Sequence, residues 1–300
     1  MQDKITRRQL TELGALAGMA SLMGGTSQAA ARPSSYQLPT DPAARNRTMV
    51  RMFGTSGDDP VIWSTRGRVF AVKPDGVAAL YGMHGSESSW WQQTDDAIWM
   101  RYSSTLSFFT DLDTGEFVET IKSPFNGVNV TLPPSFIRHK EGEWFTPNGH
   151  YYGSMKRVFP DHYPDKPIDP DWSLDGDIIR LRSGSNFPPI LPQPSLEFVT
   201  MFADASEVFD DAVVTPVGRT AGWNIFSGER PPYSEMDILP GHTIWHFDAV
   251  KVDSFGSLDP EYLKRARALT DRFEESPQFD EGPSFFERIL KMRQSQETAG

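Results

Sequence analysis

The 300-residue chain has no cysteine. That absence excludes disulfides, thiolate metal sites, iron–sulfur clusters and covalently attached haem. Histidines and carboxylates remain as the only side chains able to hold a metal, and no spacing among them demands one. Positive charge is scarce too: 29 Lys and Arg stand against 40 Asp and Glu, a formal charge of -11. Such a balance argues against nucleic acid or an anionic membrane surface as partner. No segment reaches the about 20 apolar residues that a membrane-spanning helix needs. Also missing are G-x-G-x-x-G after a strand, G-x-x-x-x-G-K-S/T, H-E-x-x-H and G-x-S-x-G. Nucleotide-binding, zinc-protease and α/β-hydrolase functions therefore have no support, and no cofactor is implied.

What is present begins with the N-terminus. Arg7-Arg8 is followed by a weakly apolar run over 13–23 and by small residues around Ala29, Ala30 and Ala31. Paired arginines, a short apolar segment and an A-x-A-like end predict a twin-arginine signal over 1–31. The expectation is recognition by the twin-arginine translocase, cleavage, and a periplasmic or secreted mature protein with no membrane insertion. Cleavage there would make the chain one unit more negative, because Lys4, Arg7 and Arg8 leave together with Asp3 and Glu12. Residues 32–58 are rich in Pro, Ser and Arg and read as an extended leader.

From 59 to 300 the pattern is that of a single β-rich domain. Apolar residues make up 38% and aromatics 12% of the chain, enough for a sizeable core. Over 98–109 the alternation is strict: Ile98, Met100, Tyr102, Leu106 and Phe108 against Arg101, Ser103, Thr105 and Ser107. It predicts a long strand with one buried and one wetter face. Turn signals follow at Asp113-Thr114-Gly115, Asn126-Gly127 and Pro147-Asn148-Gly149. Helix signals come late, at Asp259-Pro260-Glu261 and over 284–292. The fold class expected is mainly β: an antiparallel β-barrel-like domain with two C-terminal helices, the alternative being a two-sheet sandwich.

Candidate chemistry concentrates in 223–252. His242 and His246 are four apart, but on a strand that spacing is about 13 Å, too far to share a metal. Alternation puts Trp245 and Phe247 on one side of the strand, His246 and Asp248 on the other. A neutral imidazole near a carboxylate is a workable general base, so His246 with Asp248 is the candidate pair. Glu235 and Asp237, set among apolar neighbours, are candidates to orient it or supply protons. Trp223, Tyr233, Trp245 and Tyr102 are the candidate ligand-binding aromatics. His84, His150 and His162 lie at turns, and no spacing rule selects one of them. The segment from Asp171 imitates a calcium loop, but Arg182 stands where its bidentate Glu is required. The function expected is binding of an apolar or aromatic small molecule by an exported barrel. Its catalytic version is a cofactor-independent lyase, isomerase or hydrolase; its alternative is a non-catalytic periplasmic binding protein.

The segments FFTDLDTGEFVETIKSPFNGVNV (108–130) and WNIFSGERPPYSEMDILPGHTIWHFDAVKV (223–252), with the twin-arginine leader, resemble the bacterial and fungal domain of unknown function 1838. The resemblance covers the chain from about residue 61 to the first C-terminal helix and brings no assigned activity, cofactor or catalytic residue. Where a polar, His-containing segment is expected in relatives, this chain reads Thr131-Leu132-Pro133-Pro134, with His139 the nearest histidine.

Overall fold

In a computed structural model of the chain, residues 34–73, 76–122, 127–158, 170–187, 195–227 and 242–299 are described. Thirteen strands run through them: β1 (Val61–Lys73), β2 (Gly76–Asp95), β3 (Ile98–Thr110), β4 (Phe117–Val118), β5 (Thr120–Lys122), β6 (Asn129–Thr131), β7 (Ser135–Thr146), β8 (Gly149–Tyr152), β9 (Asp171–Asp175), β10 (Ile178–Phe187), β11 (Ser195–Asp204), β12 (Gly218–Ser227) and β13 (His242–Val252). The helices are α1 (Pro42–Phe53), α2 (Gly153–Val158), α3 (Ala205–Val208), α4 (Pro260–Leu269) and α5 (Phe285–Ala299). Among the described residues no helix is long and apolar enough to cross a membrane.

One antiparallel sheet takes in eleven strands in the order β8-β7-β3-β2-β1-β13-β12-β11-β10-β9, with β4 attached to β3. The protein is mainly β, its sheet curled into a half-barrel, not a two-sheet sandwich. The first and last strands meet at the centre, antiparallel from Ile62↔Val252 to Val72↔His242. The sheet's edges are β8 and β9. Turn glycines behave as their neighbours suggest: Gly115 at φ 72° closes the β3–β4 turn and Gly176 at φ 59° the β9–β10 hairpin. The imitation calcium loop is therefore a strand and its turn.

Curling gives the sheet a concave face with a core of its own. Trp63, Trp91, Trp99 and Phe145 from one arm share a buried cluster with Ile179, Leu181, Val199 and Met201 from the other. What joins them is α1, which contributes Met49, Val50 and Met52. Residues 42–53 are thus a buried helix, where the sequence suggests an extended leader. Asp41 caps it by accepting from Ala44 N at 2.8 Å, and Pro42 occupies the first turn. Arg51 reaches out of it to the carbonyls of Val208 (2.6 Å), Glu207 (3.0 Å), Asp210 (2.6 Å) and Val213 (2.7 Å), tying α1 to α3 and the chain after it.

At the other end of the concave face Val69, Tyr81, Phe109 and Trp245 pack under Val130 and Leu132 of the β5–β6 hairpin. On the convex face α4 covers Ile62 and Leu106 through Tyr262, Leu263 and Ala266. The Tyr262 hydroxyl donates to Leu106 O at 2.9 Å and lies 2.8 Å from Ser86 Oγ. Asp259 caps this helix, accepting from Glu261 N and Tyr262 N. Strand β3 is consequently buried on both sides. Its Arg101, Ser103 and Ser107 are not on a wet face; they look into the half-barrel.

Candidate functional site

Register assembles the concave face row by row. The row Ala249–Thr65–Gly85–Ser107–Ser135 crosses β13, β1, β2, β3 and β7 without a side chain larger than threonine. On one side of it runs Phe247–Gly67–Met83–Phe109, leading to the Tyr81 and Trp245 rings. On the other runs Lys251–Trp63–Glu87–Thr105–Ile137. A row of small, partly hydroxylated residues therefore lies between an aromatic-rich row and one that mixes Lys251, Trp63 and Glu87. Gly85 holds its floor low: a Cβ there would come within 2.7 Å of the Leu106 carbonyl.

With Glu87 begins a buried quartet of titratable side chains: Glu87, Arg101, Glu143 and His150. Trp91, Arg101, Glu143 and Tyr152 are in register across β2, β3, β7 and β8, with His150 beside Phe145 on β8. Arg101 forks between the two carboxylates: Nη1 donates to Glu143 Oε2 at 2.5 Å, and Nη2 to Glu87 Oε1. Its guanidinium carbon lies 5.9 Å from the Trp91 ring centroid. Glu143 uses its second oxygen for His150, with Oε1 3.1 Å from Nε2. The imidazole stacks on Phe145 at 5.2 Å and 14°. Charges in so little water persist only when paired, and this pairing is close to complete. His150 Nδ1 is among the buried polar atoms without a hydrogen-bond partner among the described residues.

Burial pushes the His150 pKa down, Arg101 adds to that, and Glu143 opposes it. His139, opposite Ser103 in register, packs against Phe285 and Phe286 of α5. Burial chiefly, with Arg101 and Arg288 adding to it, lowers its pKa to about 4. Both rings are neutral at neutral pH. Among the described residues no three His, Asp or Glu are placed to hold a metal ion.

The residues favoured from sequence fall elsewhere or apart. His246 and Asp248 are on the face of β13 opposite to Thr243, Ala249 and Lys251, both exposed on the convex side. Trp245 does lie on the concave face, edge-on to Tyr81 at 6.3 Å and Phe109 at 6.2 Å. Tyr102 is buried on the convex side of β3, where burial raises its pKa against a hydrogen bond from Gln278. Trp223 occupies the β12 position opposite Phe247 and Val199. Tyr233, Glu235 and Asp237 lie outside the described residues, as does His162. The quartet escapes sequence reasoning because its members sit 14 and 42 residues apart along the chain. The only available hint was the charge Arg101 in an otherwise hydroxylated strand face.

No family model matches the chain, and no curated protein is similar to it. Among solved structures, a DUF1329 family protein from Desulfovibrio piger aligns with 75% of this chain and 98% of its own, at 10% identity and a TM-score of 0.17.

Proposed function

We propose that this is an exported protein that binds an apolar or aromatic small molecule on the concave face of its half-barrel. The observation carrying this reading is the five-strand row of small residues between the rows of Trp63 and Phe247. Flat apolar ligands are held by aromatic rings, and Trp245, Tyr81 and Phe109 are packed together at one end of this face. Chemistry is favoured over simple holding by the buried quartet. A carrier needs only an apolar lining, whereas Arg101, Glu87, Glu143 and His150 place ionisable groups where desolvation alters their behaviour. The reaction class is then a cofactor-independent lyase, isomerase or hydrolase. Membership of the family known as domain of unknown function 1838 is part of this proposal, supported by the two segments and the twin-arginine leader that resemble it.

Protein purified from the periplasm and examined by native mass spectrometry should carry a small aromatic or apolar molecule. It should also show quenching of Trp emission by members of an aromatic panel. Absence of both results sinks the binding reading. Export is tested separately: replacing Arg7 and Arg8 by Lys should leave the protein in the cytoplasm, and undiminished export would refute the signal.

A further inference from the structure

We infer that the β5–β6 hairpin is a flap that lifts from the aromatic end of the concave face to admit a small, neutral aromatic molecule. This deepens the binding reading above and rests on it. Next to the row of small residues runs Phe247–Gly67–Met83–Phe109, and beyond that Trp245–Val69–Tyr81. Tyr81, Phe109 and Trp245 stand edge to face, 4.8 Å, 6.2 Å and 6.3 Å apart. The hairpin lays Val130 and Leu132, each 1% exposed, over these rings, with Ile121 packed beside them. Its other side carries Thr120, Lys122, Asn129 and Thr131, all exposed. The rings are thus sealed by a cover one residue thick.

Floor and cover are built differently. Val69, Tyr81, Phe109 and Trp245 belong to β1, β2, β3 and β13, four neighbouring strands of the eleven-stranded sheet. The hairpin is a sheet of its own, three residue pairs long, with no ladder to the main sheet among the described residues. A two-stranded hairpin is barely stable by itself in water, so its place depends on the apolar side chains beneath it. Elements held by few contacts open at the lowest free energy, and ligand-binding parts are drawn from them. Both limbs return to one lane beside β3, where Val118 of β4 faces Phe109 and Ser135 of β7 faces Ser107. Glu119 separates the hairpin from β4, and Pro133-Pro134 precede β7. The prolines have no N–H to offer that lane, so the chain leaves it there. Across the base Leu132 N donates to Glu119 O at 2.7 Å. The hairpin can therefore swing about this base without breaking a sheet ladder. Closed, Val130 and Leu132 fill the place a ligand takes; lifted, they free it. Every member of the cluster is uncharged, which selects a neutral molecule.

Hydrogen exchange on the wild-type protein tests the hinge with neither mutant nor ligand. Amides of 119–132 should exchange about 100-fold faster than those of β3, through an opening that low urea does not promote. Equal protection of the two segments overturns the flap and leaves the binding reading standing. The site itself is tested with N-phenyl-1-naphthylamine, a neutral aromatic probe that brightens in apolar surroundings. Its emission should rise saturably with wild-type protein. Leu132→Ala, which trims the cover, should bind it about 10-fold more tightly, because the open form is then more populated. Val130→Ala carries the same expectation and stands in if Leu132→Ala does not fold, as judged by near-ultraviolet circular dichroism. Thr131→Ala, on the outer side, should bind as wild type does. Wild-type binding that neither trimmed variant strengthens overturns the flap and spares the pocket. No binding by wild type or by either trimmed variant overturns both.

Discussion

The ammonium of Lys251 on β13 donates to the carbonyl of Gly54, the residue that ends α1, at 2.8 Å. Its other protons go to Arg51 O at 3.1 Å and Pro216 O at 2.9 Å, so the charged form has every donor used. Burial, with Arg51 adding to it, pushes the lysine pKa down to about 7. The Trp63 ring, 5.4 Å away, supplies a face for the charge. This single side chain binds the end of the inner helix to the central strand of the sheet.

Lys251→Met keeps the volume and removes the donors. Three buried carbonyls lose their partner, and the expected cost is about 3 kcal/mol. Urea unfolding reads it directly. A loss below about 1 kcal/mol would mean that α1 is held by its apolar contacts and Arg51 alone.

Gly54 is also a matter of space. A Cβ there would lie 2.2 Å from Cε2 of the Trp91 indole, a buried ring that cannot step aside cheaply. Gly54→Ala should therefore destabilise by about 1–3 kcal/mol, against the usual small gain from replacing glycine. An unchanged thermal midpoint would show that α1 and Trp91 are not in contact.

Breaking the quartet from its centre should be costly. Arg101→Met strands Glu87 and Glu143 in the interior, and the expected loss is about 3–5 kcal/mol. Adding Glu87→Gln and Glu143→Gln should recover a substantial part of it, since the uncompensated charges are gone. A triple variant no more stable than Arg101→Met would assign the loss to packing rather than to charge.

Acid should loosen the fold in a defined window. His84 is sandwiched between Phe117 at 5.6 Å and Tyr262 at 4.9 Å, and burial, aided by Arg66, lowers its pKa to about 4. His139 behaves alike, and His150 is lowered in the same direction. An unfolded chain takes up these protons as pH falls through about 6.5, while in the folded chain His84 and His139 resist until about 4. Stability is then fully present above 6.5 and is lost as pH falls toward 4. The N-cap Asp259, lowered chiefly by its hydrogen bond from Tyr262 N, adds its own loss only below the ordinary carboxylate range. Urea midpoints at pH 7.5, 5.5 and 4.5 should decline in order. His84→Phe should make the decline shallower; an unaltered slope would remove His84 from the account.

The strands were legible because β3 alternates strictly and the turns carry Gly115 and Gly149. The barrel character was legible from strand length. The wet face of β3 was misassigned because polar residues inside a half-barrel and polar residues facing water give the same period of two. Helix α1 begins on Asp41-Pro42, the same start signal as Asp259-Pro260, yet its sequence reads as an extended leader. Its few apolar residues, crowded at 49–53 among arginines, hid the buried face. The quartet was out of reach for a different reason. Glu143 meets Arg101 only because β7 bulges between the partners of Arg101 and Ser103, with Gly142 at φ 75°.

Because β8 and β9 are neighbours along the chain yet the two ends of the sheet, the strand ladder divides into two meanders, β1–β8 and β9–β13. They are sewn together by the β1–β13 seam, whose partners are about 180 residues apart in sequence. Each meander can form from short hairpins, so the seam is the slow, entropy-laden closure. The chain is accordingly a natural candidate for splitting: a nick between 158 and 170 falls between β8 and β9 and cuts no strand pairing among the described residues. Two co-expressed pieces should find each other through the eleven paired positions from Ile62 to Val72.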